Sequence, residues 1–248
     1  MVNRLIMIFV CMLVLTGLLT DSATAITAVE IINRRDNNEF FEEAKVESEM
    51  VIIHGNRKMT KNMVSLIQGK NAFTSFTNPR DRGTKFLKRA DDLWMFFPDA
   101  EDVVKISGHM LNQGMMGSDF SYQDMMESDK LIDLYDFKLI GEEDLAGRPC
   151  YLLEGIAREG KEVSYYRRKT WIDQERFISL KEELYARSGR LLKVTEVNKV
   201  EQIDQRWYPV ESVMVDQLKE NTKTEFIIKL IEFNPQILED TFTLENLQ

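Results

Sequence analysis

From residue 44 the chain alternates. Val46, Ser48, Met50 and Ile52 are separated by Lys45, Glu47, Glu49 and Val51, a period of two that puts one set of side chains on one face of a strand. Comparable runs recur at residues 63–68, 72–77, 84–88, 93–97, 103–106, 137–140, 149–155, 163–172, 177–186, 191–203, 207–217 and 224–233. Polar clusters separate them. Arg89-Ala90-Asp91-Asp92 and Ser188-Gly189-Arg190 read as hairpin turns, and Asn221-Thr222 and residues 141–147 as further turn regions. Short strands at this spacing predict a meandering antiparallel sheet.

Two stretches break the alternation. In residues 26–37 the residues Ile26, Val29 and Ile32 would share one helical face, with Ile31 beside them. Residues 108–134 hold Met110, Met115, Met116, Met125 and Met126, punctuated by Gly108, Gly114 and Gly117. Ser121 followed by Asp124 has the spacing of a capping box, which predicts a helix over residues 122–134. A mobile, Met-rich loop leading into a helix is thus inserted within a sheet, and residues 110–126 are expected to form a lid.

The N-terminus changes the picture from a bare domain to an exported one. Arg4 precedes an apolar run over residues 5–19, then Thr20, Asp21 and Ser22, and Ala23-Thr24-Ala25 fits the small-x-small rule for signal peptidase. Cleavage after Ala25 leaves residues 26–248 as one domain, since no Pro/Gly/Ser linker divides them. Met7-Ile8-Phe9-Val10 lacks the small residues expected before a lipid-modified Cys11, so a periplasmic protein without a lipid anchor is expected. Cys150 is then the sole cysteine of the mature chain, and stability must come from the core.

The formal net charge of −9 argues against nucleic acid as a partner and disfavours docking on an anionic membrane face. Only two histidines exist, His54 and His109, and neither lies in a nucleophile elbow. No metal motif or phosphate-binding glycine loop is present, and the pairs Asp91/Asp92 and Glu142/Glu143 fall in expected turns. No catalytic residue, metal or cofactor is therefore assigned, and a non-enzymatic function is expected.

Asn78-Pro79-Arg80-Asp81-Arg82-Gly83-Thr84 is followed by Asp92-Leu93-Trp94-Met95-Phe96-Phe97-Pro98. Val104-Lys105-Ile106-Ser107-Gly108 and Gly117-Ser118-Asp119-Phe120-Ser121-Tyr122-Gln123-Asp124 come next, and later Cys150-Tyr151, Trp171-Ile172-Asp173, residues 189–193, Pro209 and Phe242-Thr243. This ordered set resembles the outer-membrane lipoprotein-sorting protein family, a branch of the LolA/LolB-like carriers. The resemblance implies a mostly β fold: a curved, unclosed antiparallel barrel with helices over its open mouth. It also implies a monomeric carrier of lipoprotein acyl chains or related lipids across the periplasm, with an inner-membrane transporter and an outer-membrane acceptor as possible partners. A periplasmic lipid sensor is the alternative reading on the same fold.

Such a carrier must offset roughly 0.8 kcal/mol for each methylene of a chain kept from water, or roughly 12 kcal/mol for one long chain. Adaptable methionines and large aromatic faces suit the task. Met110, Leu111, Met115, Met116, Phe120, Met125 and Met126 are the cavity or lid candidates, with ordinary core as the alternative reading of the methionines. Trp94 and Phe96, alternate positions on one strand, are either cavity wall or ordinary core, and Phe97 faces the other way. Arg80 and Arg82 are candidates for a polar rim or form only a polar turn with Asp81, and Arg89 is a further candidate by position.

Overall fold

The structure, a computed structural model, describes residues 25–247. The expected signal sequence lies outside the described residues apart from Ala25. Helix α1 (Ala28–Glu39) precedes strand β1 (Glu43–His54), β2 (Arg57–Gln68), β3 (Asn71–Phe76), β4 (Lys85–Arg89), β5 (Asp92–Phe97) and β6 (Asp102–Ile106). An insert follows, with two 3-10 turns and the short helices α2 (Tyr122–Met126) and α3 (Leu131–Leu134). The chain ends with β7 (Tyr135–Leu145), β8 (Arg148–Ala157), β9 (Arg167–Asp173), β10 (Ser179–Tyr185), β11 (Leu191–Ile203), β12 (Arg206–Asp216), β13 (Thr222–Phe233) and the helical turn α4 (Leu244–Leu247).

The 13 strands of the described residues form one antiparallel sheet, in the order β6-β5-β4-β3-β2-β1-β13-β12-β11-β10-β9-β8-β7. Hairpins make every join but one. The exception is the pairing of β1 with β13, which brings the N-terminal and C-terminal runs of strands together. The curved sheet does not close: β6 and β7 are its two edges, and the insert runs from one edge to the other.

Residues opposite one another in antiparallel strands share a face. The register therefore defines an inner face across the first half: Met50 opposes Phe226 and Lys61, Met63 opposes Phe76, Phe86 opposes Met95, and Leu93 opposes Lys88 and Ile106. The insert covers this face. In the second half the same face carries Leu153, Ile172 and Tyr135, covered by Ile31 and Ile32 of α1 and by Leu131 and Leu134 of α3.

Several local expectations are corrected. Val29 is exposed, and the buried stripe of α1 is Ile31, Ile32 and Asp36. Asp36 is buried because its Oδ2 accepts the Ile132 amide 3.0 Å away, which ties α1 to α3. The helix expected over residues 122–134 is two short helices, because the residues between them serve polar contacts instead of continuing the turn. Residues 141–147 are mostly strand: β7 continues through a register shift between Leu139 and Gly141, and only Ala146-Gly147 turn. Phe177, at φ 51°, belongs to the turn before β10.

Candidate functional site

The insert is built from its glycines outward. Gly117 adopts φ 84°, and beside it Met116 takes φ 51°, a left-handed conformation that costs a β-carbon-bearing residue about 1–2 kcal/mol. Gly114 bridges to Ser121 in antiparallel fashion, closing a tight loop around Ser118 and Asp119. A Cβ at Gly114 would sit 2.4 Å from the Ser118 carbonyl oxygen, so only glycine fits there. The buried Asp119 amide donates to Thr224 Oγ1 at 2.9 Å, and its carboxylate accepts from the hydroxyls of Thr222 at 2.7 Å and Thr224 at 2.8 Å. Lys219 Nζ caps the Ser118 carbonyl at 2.8 Å. Ser121 and Asp124 form the capping box that the spacing predicted, and α2 starts there.

From this anchored loop the apolar side chains turn towards the sheet. Met115 is buried, and Met110, Leu111, Met116, Phe120, Tyr122, Met125 and Met126 pack against Met50, Ile52, Met63, Phe76, Phe86, Leu93, Met95 and Ile106. Phe120 meets Phe226, and Tyr122 meets Phe86, each pair with ring centroids 5.8 Å apart. The structure thus brings together Met110, Leu111, Met115, Met116, Phe120, Met125 and Met126. In this state the insert fills the space over the inner face and is not lifted from it.

Trp94 and Phe96 do not join them. On β5 the inward positions are Leu93 and Met95. Trp94 and Phe96 face the opposite side, where they pack with Leu87, Phe73 and Val103 under Ile237, Phe242 and Leu247 of the C-terminal segment. That tail supplies the apolar cover which β5 needs on its second face, and strand alternation alone does not reveal it. Phe97 is exposed, but it lies at the strand end next to Pro98. Arg80 and Arg82 are also exposed, and it is Asp81 between them that turns inward, accepting from Lys61 Nζ at 2.7 Å and from Asn78. Although partial burial opposes it, the Lys61 contact holds the Asp81 carboxyl below its ordinary range. Arg89 lies exposed at the end of β4.

The inner face also carries buried charge. Lys88 on β4, Arg168 on β9 and Lys193 on β11 are 4%, 3% and 7% exposed. Each meets a residue of the insert. Lys193 Nζ lies 2.6 Å from Asp124 Oδ2, Arg168 Nη2 lies 3.7 Å from Glu127 Oε2, and Lys88 Nζ donates to Ser128 Oγ at 2.7 Å. Tyr165 donates to Asp124 at 2.6 Å, and the Ser164 amide donates to Glu127 at 3.2 Å. Burial pulls the Lys88 ammonium down to about 8. Nearer α1, Arg35 pairs with Glu39 at 2.6 Å and with Asp36 at 2.9 Å, and Glu39 Oε1 accepts the Ser179 amide. Burial drives the Glu39 carboxyl upward against the pull of Arg35. Sequence alternation held a signal for the sheet's cations, because Lys88 shares the parity of Phe86 and Arg168 that of Thr170.

A cleft of about 870 Å³ opens beside the insert, lined by Asn112 and Gln123 on one side and by Arg158, Lys161, Val163, Ser164, Tyr166, Arg187 and Leu192 on the other. A cavity of about 180 Å³ shares Asn112, Gln123, Ser164 and Leu192 with it and reaches Ser121, Tyr165 and Lys193. Among the described residues no group of three or more His, Cys, Asp or Glu is placed to hold a metal ion. His54 and His109 are exposed, and burial pushes the Cys150 thiol up to about 11, which leaves it unreactive.

Solved structures share this architecture. A DUF1329 family protein from Desulfovibrio piger matches with a TM-score of 0.79 and 27% identity, covering 89% of this chain and 97% of that one. A domain assigned as an outer membrane lipoprotein-sorting protein, from Vibrio parahaemolyticus, matches at 0.75 with 26% identity over 88% and 97% of the two chains. A LolA superfamily protein from Nitrosomonas europaea, 23% identical, matches at 0.75 over 90% and 100%. No curated protein matches the chain. A family model described as "Uncharacterized protein" matches residues 68–248. The chain belongs to that family, and it has the fold shared by the lipoprotein-sorting and LolA superfamily proteins.

Proposed function

We propose that this protein is a periplasmic carrier that takes acyl chains of lipoproteins or related lipids between the inner face of its sheet and the Met-rich insert. One observation carries the reading: an apolar floor of Met50, Ile52, Met63, Phe76, Phe86, Leu93, Met95 and Ile106 is roofed by a single stretch of chain. The roof is joined to the sheet through side-chain contacts at Thr222, Thr224, Arg168, Lys193 and Lys88, so it can lift without breaking the strand ladder. Lifting it uncovers a chamber of the right chemistry, and an acyl chain restores the apolar contact that the methionines gave up. The lipoprotein-sorting relative supports this class of cargo, and the expected signal sequence supports the periplasm. Transfer towards the outer membrane, from an inner-membrane transporter to an outer-membrane acceptor, completes the proposal.

The test is direct. Protein purified natively from a periplasmic extract is analysed by mass spectrometry for co-purifying acyl lipids, and the delipidated protein is titrated with a fluorescent fatty acid. Saturable binding by folded protein is expected. Absence of any acyl ligand, together with no binding, contradicts the reading.

A further inference from the structure

Three of the four buried cations of the inner face, all but Lys61, meet the insert, and they raise a question that an all-apolar cargo leaves unanswered. A chain with a net charge of −9 keeps Lys88, Arg168 and Lys193 on the very surface that the insert covers. Burying a charge is costly unless it is paired. Part of the pairing comes from six consecutive positions of the insert, Asp124 to Asp129, and Glu182 of β10 supplies the nearer carboxylate to Arg168. Asp124 meets Lys193 at 2.6 Å, Glu127 meets Arg168 at 3.7 Å, and Ser128 accepts from Lys88 at 2.7 Å, with the Asp129 carboxylate acting on Lys88 at longer range.

The fit is incomplete at Arg168. Its contacts to Glu127 and Glu182 are long, at 3.7 and 3.4 Å, and its Nε is buried without a hydrogen-bond partner. A guanidinium normally presents a planar fork that two oxygens fill. Register places Arg168 and Lys193 on one row, both opposite Leu184 of β10. Lys193 lines the cavity of about 180 Å³ that adjoins the large cleft, so a route from solvent reaches this row.

We propose that Arg168, Lys193 and Lys88 form a headgroup site for an anionic amphiphile, and that the carboxylates of Asp124 and Glu127 stand in for that headgroup while the insert is down. This rests on the carrier reading and names its cargo class: a long acyl or alkyl chain ending in a carboxylate or phosphate. Entry of the chain lifts the methionines from the apolar floor, and entry of the anion releases Asp124 and Glu127. One ligand thus replaces both the apolar and the charged contacts of the cover. A neutral lipid lifts the cover but takes Asp124 from Lys193 and Ser128 from Lys88, and leaves Arg168 with Glu182 of β10 as its carboxylate.

The experiment compares hexadecanoate, hexadecyl phosphate, hexadecanol and inorganic phosphate as competitors for a fluorescent acyl probe on the mature chain. Both anionic amphiphiles are expected to bind about tenfold or more tighter than hexadecanol, a ratio equal to roughly 1.4 kcal/mol. Inorganic phosphate alone is expected not to compete. K193M and K88M should bring the acid-to-alcohol ratio towards one. They are chosen because a change at the almost fully buried Arg168 can prevent folding. D124N combined with E127Q keeps both shapes and acceptor oxygens while removing two charges, and it should raise affinity for hexadecanoate. A ratio near one in the unaltered protein, or a ratio unmoved by both lysine changes, overturns the headgroup site and leaves the carrier reading standing. Tight binding of inorganic phosphate alone overturns the amphiphile. Failure of every probe, hexadecanol included, overturns the carrier reading and this inference with it.

Discussion

The two halves of the inner face are covered in different ways. Over β1 to β6 the contact is almost wholly apolar: methionines and aromatics of the insert lie on methionines, aromatics and aliphatic side chains of the sheet. Over β7 to β12 the cover is α1 with α3, and its apolar patch is bordered by Arg35, Asp36, Glu39, Glu182 and Arg168. Apolar contact is non-directional, so an acyl chain can take the place of a methionine with little change in free energy. The polar ties that leave α1 are directional: Asp36 accepts the Ile132 amide, Glu39 accepts the Ser179 amide and Arg35 donates to Ser179 Oγ, and an acyl chain replaces none of them. On the proposed function, the Met-rich part of the insert is what moves, and α1 with α3 stays in place.

The largest expected effect follows from breaking the permanent side. Arg35→Met leaves Glu39 and Asp36 buried beside no cation, and it should lower unfolding free energy by about 3–5 kcal/mol. Urea unfolding followed by circular dichroism measures this, and a loss under about 1 kcal/mol would mean that the α1 charges are not locked.

The next effect separates the two faces of β5. Met95 is buried under the insert, so Met95→Ala should cost about 2–5 kcal/mol and weaken acyl binding. Phe96 lies under the C-terminal tail, so Phe96→Ala should cost stability while leaving acyl affinity as it was. Equal losses of acyl affinity in both variants would return Phe96 to the chamber.

A smaller effect is expected from Gly114→Ala. Its Cβ would sit 2.4 Å from the Ser118 carbonyl oxygen and 3.1 Å from Lys219 Nζ, so the loop must shift, at roughly 1–3 kcal/mol. The loss should fall on the cover alone, and stopped-flow mixing with the acyl probe should show faster uptake. Slower uptake would contradict a cover that must open.

The smallest effect concerns pH. Lys88 has a folded value of about 8 against an ordinary 10.5. Below about pH 8 the side chain is charged in both the folded and unfolded states, so burial of that charge opposes folding. As pH rises from there towards 10.5 the folded protein sheds the proton first. The unfolded state then binds more protons, and stability rises. Relative to Lys88→Met, the unaltered protein should therefore gain stability between pH 7 and pH 10 in parallel urea titrations. A relative loss across that window would reverse the assignment.

Much of the fold was legible because burial on one face writes a period of two into the chain. The strands around Met50, Phe86 and Thr195 follow from that rule, as does the break at the Met-rich insert. Contacts between segments distant in sequence were not legible. Nothing near Trp94 signals that Phe242 and Leu247 will cover it, so its face could not be chosen from alternation alone. The arginines at positions 80 and 82 drew attention by charge, while the residue that turns inward is Asp81, chosen by the position of Lys61 on a neighbouring strand. Lys88, Arg168 and Lys193 carried a weak local sign, a charge at an inward position. Their meaning depends on Asp124, Glu127 and Ser128, which only the fold brings to them.

On the proposed function, the insert is a removable cover whose place an acyl chain takes. Two amides report on it directly: Asp119, which donates to Thr224, and Ser164, which donates to Glu127. Hydrogen exchange of the mature protein, with and without saturating fatty acid, reads both. These amides are expected to open at lower free energy than those of β1 in the empty protein. Ligand is expected to speed their exchange further, because it binds the open form. Exchange as slow as that of β1, and unchanged by ligand, would rule out a removable cover and make the methionines plain core.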